Sequence, residues 1–282
     1  MDVSVAYSPC PNDSVTFLGW ENGIIKSPII PKVSLGDIQS LNEWAFKGLF
    51  SVSKVSFASL GYLLDDYVLL PCAAAIGFGC GPKIISKNPI DKESLKDCTV
   101  AIPGENTTAH LLLSGLFPSV TRKVFCTYDE VLTLLEKGEV DAGLIIHETR
   151  FTFQKLGFYE VADLGSLWEE KTKLPIPLGG VIAKRSLGND ILQQISSAIS
   201  SSISYGLANT DILWDTILER SIEKDQSIVH QHIDLYVNKE SLSLSSESKS
   251  AIVSLLDVGA KLGFYQSRLP EDIFFQGTQC LV

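Results

Sequence analysis

His147 is the side chain whose type and position in this sequence best suit acid–base chemistry. It follows the apolar residues 144–146, which predict a buried strand, and it precedes Glu148. Ligands of open α/β sheets bind beyond the carboxyl ends of the strands. Because an imidazole titrates near neutral pH, His147 is a candidate general base. A histidine that only forms a hydrogen bond at a strand end explains the same residues, and the sequence leaves both interpretations open.

Thr107 and Thr108 form a second candidate site, at the start of a predicted helix that follows a glycine-containing loop. A helix N-cap needs only one hydroxyl. A second hydroxyl, beside the free N–H groups and the positive end of the helix dipole, makes a small anion site. The formal net charge of −10 requires that any attraction for an anion be local in this way. A simple cap and an anion site both fit these residues.

Gly77, Gly79 and Gly81 alternate along one glycine-rich segment. Their spacing differs from the G-x-G-x-x-G pattern of dinucleotide-binding loops, and Pro82 leads into a predicted strand instead of a helix, which excludes that kind of site. Two interpretations remain equally supported. The segment is either a bend between lobes or a place where a backbone without Cβ atoms lets a ligand approach closely.

The histidines do not follow the spacing of metal ligands. His230 and His232 are two residues apart, which places them on different faces of a helix. Neither His110 nor His147 has a cysteine or a second histidine at ligand spacing. We therefore expect no metal site, and we interpret His110, His230 and His232 as packing or surface residues.

Composition narrows the cellular setting and the partners. The six cysteines are scattered without a C-x-x-C pair, and the first residues lack the basic region of a signal peptide, so we expect reduced thiols and a cytoplasmic location. No run of 18 uncharged apolar residues is present, so we expect no membrane insertion. The net negative charge argues against a nucleic-acid partner.

The elements that must position these residues alternate between short strands and helices, which indicates parallel β-α-β units and an α/β fold. The length of 282 residues favours about two domains. A second lobe is predicted to begin near Asn88, and the Pro/Gly-rich residues 174–180 predict a return crossing. The predicted division places residues 1–88 and 179–282 in lobe 1 and residues 89–178 in lobe 2.

Three further patterns predict buried elements. Residues 67–76 form an apolar run that predicts one buried strand. Apolar residues recur in two helical stripes that we interpret as packing faces. The first stripe consists of Ile191, Ile195, Ile199, Ile203 and Leu207, and the second of Ile252, Leu255, Leu256 and Leu262.

Seven short segments, in the same order along the chain, carry the signature of one enzyme family. They are residues 8–13 (SPCPND), 53–56 (SKVS), 79–82 (GCGP), 103–109 (PGENTTA), 142–151 (AGLIIHETRF), 163–170 (DLGSLWEE) and 174–180 (LPIPLGG). Together they make the chain resemble the 1,4-dihydroxy-6-naphthoate synthase family of menaquinone biosynthesis. The C-terminal helices resemble the family in pattern only. Where the family usually has Thr-Phe after the first segment, this chain has Ser14 and Val15, so Ser14 is left out of the predicted site.

The resemblance implies a two-lobed type II periplasmic-binding-protein-like fold with a ligand cleft between the lobes. It implies a lyase of the futalosine pathway that converts cyclic dehypoxanthine futalosine into 1,4-dihydroxy-6-naphthoate, releases the sugar-derived fragment and uses no metal or organic cofactor. It makes His147 the catalytic base, with Glu148 or Asp13 as the alternatives. The substrate-binding residues that it implies are Thr107, Thr108, Asn12, Asp13, Lys54, Ser56 and Gly81.

Three other functions are compatible with an α/β fold of this kind, but each would require a feature that differs from this sequence. A solute-binding protein of the same fold would normally carry a signal peptide or a lipoprotein cysteine. Chorismate dehydratase, an enzyme of the same pathway, shares the fold class but has a different motif pattern. A regulatory ligand-binding domain would need a DNA-binding or partner domain, for which the chain has no room. The family resemblance implies a carboxylate-bearing small molecule as the partner.

Overall fold

Two β-sheets with helices packed around them make up the computed structural model, which describes residues 1–265 and 269–277. The strands are β1 (Asp2–Tyr7), β2 (Ile30–Leu35), β3 (Val52–Ser56), β4 (Tyr67–Leu69), β5 (Ala75–Gly77), β6 (Lys83–Ser86), β7 (Thr99–Pro103), β8 (Arg122–Cys126), β9 (Ala142–Ile145), β10 (Tyr159–Asp163) and β11 (Ile176–Lys184). The helices are α1 (Pro11–Glu21), α2 (Ile38–Phe46), α3 (Phe57–Leu63), α4 (Thr108–Leu116), α5 (Glu130–Lys137), α6 (Thr149–Thr152), α7 (Leu164–Thr172), α8 (Asn189–Ala208), α9 (Thr210–Arg220), α10 (Gln226–Tyr236), α11 (Lys239–Leu242) and α12 (Ser246–Lys261). Among the described residues, no helix has the length and apolar character needed to cross a membrane.

The first sheet has the strand order β2-β1-β3-β11-β4, and β5 also pairs with β11. β1 runs parallel to β2 and β3, as expected for β-α-β units, whereas β11 is antiparallel to its neighbours. Helices α1 and α8 share one hydrophobic core with this sheet, in which Val5, Phe17 and Ile199 are almost completely buried. We call the part of the chain that carries this sheet lobe 1.

The second sheet, which defines lobe 2, has the order β10-β6-β9-β7-β8. β7 is parallel to β8 and β9, whereas β6 is antiparallel to both of its neighbours. By sheet membership lobe 2 therefore begins at β6, earlier than the predicted boundary near Asn88. The turn-forming residues after β6 suggested that boundary, but a short apolar strand carries no local signal of the sheet that it joins. β11 returns the chain to the first sheet from Ile176 onward.

The prediction of one strand over residues 67–76 is wrong, because the chain leaves the sheet between β4 and β5. Pro71 cannot donate a backbone hydrogen bond to a sheet, and Ala73 has a positive φ of 59°. The N–H of Ala73 donates instead to the backbone oxygen of Ser241 at 2.7 Å. The apolar run is buried as expected, but it consists of two strands joined by a bend.

The helical stripes are packing faces in their central parts only. In α8, Ile195, Ile199 and Ile203 are fully buried, whereas Leu207 at the end of the predicted stripe is 41% exposed. A four-residue spacing advances about 40° per step around a helix of 3.6 residues per turn, so the ends of a long stripe drift out of the buried face. Leu262 is exposed for a different reason, because it lies beyond the last residue of α12.

Candidate active site

All eight residues that the sequence predicted for the site line one cleft of about 750 Å³ between the two lobes. They are Asn12, Asp13, Lys54, Ser56, Gly81, Thr107, Thr108 and His147. The sheet topology explains how such distant segments meet. β1 and β3 are parallel neighbours in lobe 1, and β7 and β9 are parallel neighbours in lobe 2. Because the carboxyl ends of parallel strands meet at one edge of a sheet, the segments after these four strands face a common space.

His147 lies two residues beyond the end of β9, in a left-handed backbone conformation with a φ of 57°. Such a conformation costs a non-glycine residue roughly 1–3 kcal/mol and is typical of functional sites. The ring is half-buried, and its Nδ1 lies 3.3 Å from the Sγ of Cys10. Nε2 has no hydrogen-bond partner among the described residues, so this ring nitrogen is available to a ligand.

The surroundings of His147 keep its imidazole neutral. Burial lowers its pKa below the ordinary value, and this effect outweighs the opposite influence of the Glu148, Asp13 and Asp37 carboxylates. The neutral ring is the form that can accept a proton. Burial, followed by the charges of Glu148 and Asp13, raises the pKa of the Cys10 thiol well above its ordinary value. The pair is therefore a thiol beside a neutral imidazole, not a thiolate–imidazolium nucleophile.

Asp13 is fully occupied by protein partners on the lobe 1 side of the cleft. Its Oδ1 lies 2.9 Å from the Nζ of Lys54 and accepts a hydrogen bond from the Nδ2 of Asn12 at 3.0 Å. Its Oδ2 accepts hydrogen bonds from the backbone N–H and the hydroxyl of Ser8, at 3.3 and 2.7 Å. The Asp13 and Lys54 side chains are only 2% and 7% exposed. A carboxylate held in this way is poorly suited to be the alternative base.

Helix α1 begins at Pro11, and its N-cap residue is Cys10. Asn12 and Asp13 are residue types typical of N-caps, but they lie inside the first turn of the helix. Proline is favoured at the first helical position because it has no N–H to leave unpaired and its φ is already helical. With this start, the Sγ of Cys10 lies 3.3 Å from the Nδ1 of His147 in lobe 2.

Thr107 is the N-cap of α4, as its position predicted. Its hydroxyl accepts a hydrogen bond from the N–H of His110 at 3.3 Å and donates one to the carbonyl oxygen of Gly104 at 2.9 Å. The His110 ring is buried away from the cleft, with Nδ1 2.7 Å from the carbonyl oxygen of Glu105, which agrees with a packing role. The Thr107 hydroxyl is thus used by the protein itself.

Thr108 joins the two lobes. Its hydroxyl donates to the carbonyl oxygen of Leu178 at 2.7 Å and accepts from the N–H of Ala58 at 3.2 Å, and both partners belong to lobe 1. The expectation that both threonine hydroxyls donate to an anion is therefore not met in this structure. Thr108 and Ala109 line the cleft, and as the first two residues of α4 their N–H groups have no acceptor within the helix, so they can donate to an anion at the positive end of its dipole.

Ser56 and Gly81 determine the shape of the cleft. The N–H of Ser56 donates to the Oδ1 of Asn42 at 2.9 Å, and its hydroxyl accepts from the Nδ2 of Asn42 at 3.2 Å. A Cβ at Gly81 would lie 2.7 Å from the Cα and N atoms of Gly165. The glycine at position 81 is therefore required by the close approach of the residue 165 backbone.

The cleft side chains outside the predicted site include Arg150, His232 and Tyr236. The Nη1 of Arg150 donates to the carbonyl oxygen of Gly81 at 2.9 Å and to the hydroxyl of Tyr236 at 3.2 Å. The Nε2 of His232 lies 3.0 Å from the Oδ1 of Asn12, and its Nδ1 is buried without a partner among the described residues.

A local signal for two of these residues was present in the sequence. His232 and Tyr236 are four residues apart on α10, which places them on one helix face. The two-residue spacing of His230 and His232 carries no such information. Burial lowers the pKa of His232 well below its ordinary value, so this cleft histidine is also neutral. His230 is exposed and stacks on Trp214 with ring centroids 4.0 Å apart, in agreement with a surface role.

Cys10, His147 and Glu148 also bring together donor atoms of the types that bind zinc, all within 4.8 Å of one another. Sequence spacing missed this group because Cys10 and His147 lie 137 positions apart on different lobes. A cysteine ligand must be a thiolate, whereas burial raises the pKa of the Cys10 thiol when no metal ion is beside it.

The cysteines of the described part of the chain are free thiols, as expected for a reduced protein. They are Cys10, Cys72, Cys80, Cys98 and Cys126. Cys280, the sixth cysteine, lies outside the described residues.

Comparison with known proteins gives the family. A family model described as menaquinone biosynthesis matches residues 3–261. Two curated relatives, both described as 1,4-dihydroxy-6-naphthoate synthases, are each 37% identical to this chain. The protein from Thermus thermophilus aligns over 251 residues, which are 89% of this chain and 91% of that protein. The protein from Streptomyces coelicolor aligns over 278 residues, which are 97% and 98% of the two chains.

Solved structures show the same architecture. The crystal structure of an Archaeoglobus fulgidus protein matches with a TM-score of 0.89 at 28% identity, covering 93% of this chain and 98% of that one. The periplasmic aliphatic sulphonate binding protein of Escherichia coli matches with a TM-score of 0.63 at 12% identity, covering 99% and 94%, and shows the fold alone. The predicted periplasmic-binding-protein-like fold is thus confirmed. By its family match and its two relatives, the chain belongs to the 1,4-dihydroxy-6-naphthoate synthase family of menaquinone biosynthesis enzymes.

Proposed function

We propose that this protein is a lyase that converts cyclic dehypoxanthine futalosine into 1,4-dihydroxy-6-naphthoate and releases the sugar-derived fragment, with His147 as the base. Family membership and the descriptions of the two relatives support the product. The observation that carries the mechanism is the His147 ring, which is neutral and presents an Nε2 free of protein hydrogen bonds at the cleft.

In the proposed reaction, His147 removes a substrate proton that a neighbouring carbonyl group makes acidic. The resulting anion expels the sugar-derived fragment, and formation of the aromatic ring drives the step. General-base catalysis of this kind contributes roughly 10²- to 10⁴-fold to the rate. Burial and the fixed backbone of His147 hold the ring in place, so little reorganisation is needed when the proton is transferred.

The substrate carboxylate is proposed to lie at the N-terminus of α4. Lys54, a buried cation of the cleft, is already neutralised by Asp13. The N–H groups of Thr108 and Ala109 remain available, and a helix N-terminus favours an anion. The hydrogen bonds between Thr108 and lobe 1 close the cleft at the same end, which would exclude water from the bound anion.

A cytoplasmic location is part of the same proposal. It is supported by five described cysteines that are all free thiols, since disulfides are rare in reducing compartments. The biosynthetic role of the family is compatible with this location. Native disulfides in protein purified without a reductant, detected by thiol titration under denaturing conditions, would contradict it.

The decisive variant is His147→Asn, which keeps a polar side chain but cannot take up a proton at neutral pH. We expect turnover, followed by mass analysis of the naphthoate product, to fall by at least about a hundredfold. Product affinity measured by calorimetry should stay within a few-fold, because only the transition state loses an interaction. The matched control is His230→Asn, a change of the same kind on the exposed face of α10, which should leave turnover intact. A folded His147→Asn protein with near-normal turnover would exclude this mechanism.

The pH dependence gives an independent test of the same residue. Because the neutral imidazole is active and burial lowers its pKa, the wild-type rate should rise with pH through one ionisation below about 6.5 and then remain level. The titratable groups that face the ring are Cys10, Glu148, Asp13, Asp37, His232 and Tyr128. A rate that continues to rise above neutral pH would point to a different base.

The rival functions are separated by the choice of substrate. A solute-binding protein of this fold would bind the futalosine derivative and return it unchanged, and a chorismate dehydratase would act on chorismate. Incubation with each compound, followed by mass analysis, distinguishes the three outcomes. Formation of the naphthoate from the futalosine derivative alone is the result that we expect.

A further inference from the structure

Cys10 and His147 form a contact across the cleft that the proposed reaction does not by itself require. The Sγ of Cys10 lies 3.3 Å from the Nδ1 of His147. Cys10 precedes α1 in lobe 1, whereas His147 follows β9 in lobe 2. The contact therefore depends on the closed arrangement of the two lobes, and separation of the lobes would break it.

The partner of Nδ1 decides whether His147 can act as a base. A neutral imidazole carries a single hydrogen, on either Nδ1 or Nε2, and the nitrogen without it is the proton acceptor. Nε2 is the nitrogen without a protein partner, so the hydrogen must lie on Nδ1 for His147 to accept a proton from the substrate. The partner of Nδ1 selects the tautomer, and among the described residues that partner is the sulfur of Cys10. As an acceptor the sulfur selects the Nδ1–H form, whereas an S–H donated to Nδ1 would select the Nε2–H form.

The environment of Cys10 suits this role better than a nucleophilic one. Cys10 is 5% exposed, and burial raises the pKa of its thiol well above the ordinary value. Its position is constrained by Pro11 at the first helical position and by a hydrogen bond of 3.4 Å from its own N–H to the hydroxyl of Ser8. A fixed, uncharged sulfur can accept the Nδ1 hydrogen without holding the ring as an imidazolium.

We propose that Cys10 is a positioning residue, which accepts the Nδ1 hydrogen of His147 when the lobes close and so leaves the lone pair of Nε2 directed at the substrate. This inference rests on the proposed function of His147. Because the two residues lie on different lobes, the base becomes competent only in the closed cleft. Closure of the lobes over the substrate and selection of the His147 tautomer are thereby coupled. His147 therefore does not act as a base toward water while the cleft is open.

The tautomer can be observed directly by NMR. The chain has four histidines, so their ring nitrogens can be labelled with ¹⁵N and resolved, and the His147 signals can be assigned from their loss in His147→Asn. Two-bond ¹H–¹⁵N spectra of the product-bound protein report which nitrogen carries the hydrogen. We expect the Nδ1–H form in the wild type and a shift toward Nε2–H in Cys10→Ala. A wild-type His147 in the Nε2–H form would overturn the inference, whatever the turnover of His147→Asn.

Enzyme kinetics supply a second test, because a purely structural role of Cys10 would not lower kcat in the folded protein. Cys10→Ala should lower kcat by about tenfold or more, since a wrong tautomer disables a base, while KM stays within a few-fold. Cys10→Ser keeps an acceptor at this position and should recover part of the loss. Cys126→Ser, which removes a thiol at the end of β8 outside the cleft, is the matched control and should leave kcat and the His147 tautomer unchanged. An unchanged kcat in folded Cys10→Ala, with unfolding midpoints as the check, would also overturn the inference.

Discussion

The two walls of the cleft differ in how completely their polar atoms are paired. On the lobe 1 wall, formed by Ser8, Asp13 and Lys54, both carboxylate oxygens and the ammonium group have protein partners. On the lobe 2 wall, formed by His147 and the N-terminus of α4, the Nε2 of His147 has none among the described residues, and neither has the Oε1 of Glu148, which is buried next to that wall. Paired polar groups make a structure rigid, whereas unpaired ones retain the capacity to bind. The paired cluster around Asp13 and the unpaired atoms of His147 and Glu148 are therefore expected to respond differently to substitution.

The largest effect on stability is expected from Lys54→Met, which removes the buried ion pair of the lobe 1 wall. The change leaves the buried carboxylate of Asp13 without its cation, and the loss of one partner of a buried ion pair costs about 3–5 kcal/mol. Lys54 also donates to the carbonyl oxygen of Ala73 at 3.2 Å, so a second bond is lost. The free energy of unfolding, measured with urea, should fall by an amount in this range.

An exposed ion pair on the same lobe provides the control for Lys54. Lys32 lies 3.5 Å from Asp2, and the two side chains are 64% and 61% exposed. Solvent screens such a pair, so Lys32→Met should change the free energy of unfolding by less than about 1 kcal/mol. Equal losses in the two variants would show that the lobe 1 wall is not a special source of stability.

A smaller loss of stability is expected from Thr108→Val, which removes the hydrogen bonds between α4 and lobe 1. The change removes the hydrogen bonds to Leu178 and Ala58, and leaving such backbone groups unpaired costs about 1–3 kcal/mol. Thr107→Val is the local comparison, because it removes the cap of α4 without touching lobe 1, and it should cost about 1–2 kcal/mol. Thr107→Val also removes the hydrogen bond to the carbonyl oxygen of Gly104, but both of its partners lie in the loop and helix of lobe 2. Product affinity should fall by about tenfold in Thr108→Val alone, since only this variant removes bonds to lobe 1 and so weakens the closed state. Equal affinities in both variants would mean that Thr108 does not control closure.

The parts of the site that the sequence predicted are those that follow from local pattern. An apolar strand followed by His147 predicts a histidine at the edge of a sheet, and that is where it lies. Thr107 caps α4 because a hydroxyl stands directly before a helical segment. In each case neighbouring residues determine the outcome, so the printed sequence contains the signal.

The parts that the sequence did not predict depend on contacts between distant segments. The side chains of Cys10 and His147 meet only because β1 and β9 end at opposite walls of one cleft. His232 reaches the cleft because α10 packs against α1, which no local periodicity reports. The membership of β6 in the second sheet has the same origin. Periodicity identifies which face of an element is buried but not which element covers it.

The smallest effect on stability is expected from Glu148→Gln, next to the lobe 2 wall. Its side chain is 4% exposed, and its Oε1 has no hydrogen-bond partner among the described residues, so the change has no such bond at that atom to remove. An amide has the same shape and avoids a buried charge, so the free energy of unfolding should change by less than about 1 kcal/mol. A loss of about 3 kcal/mol or more in the free energy of unfolding would match the loss expected for Lys54→Met. That result would show that the unpaired Glu148 contributes as much stability as the paired Lys54.

The same variant also tests which group of lobe 2 takes the proton. If His147 is the base, Glu148→Gln removes only a nearby negative charge, which raises the pKa of His147 in the wild type. The pKa of His147 should then fall further, so the rise of the rate with pH should move to lower pH, with turnover at neutral pH within about tenfold of the wild type. A hundredfold loss of turnover in the folded variant, with the pH profile otherwise unchanged, would transfer the role of base from His147 to Glu148.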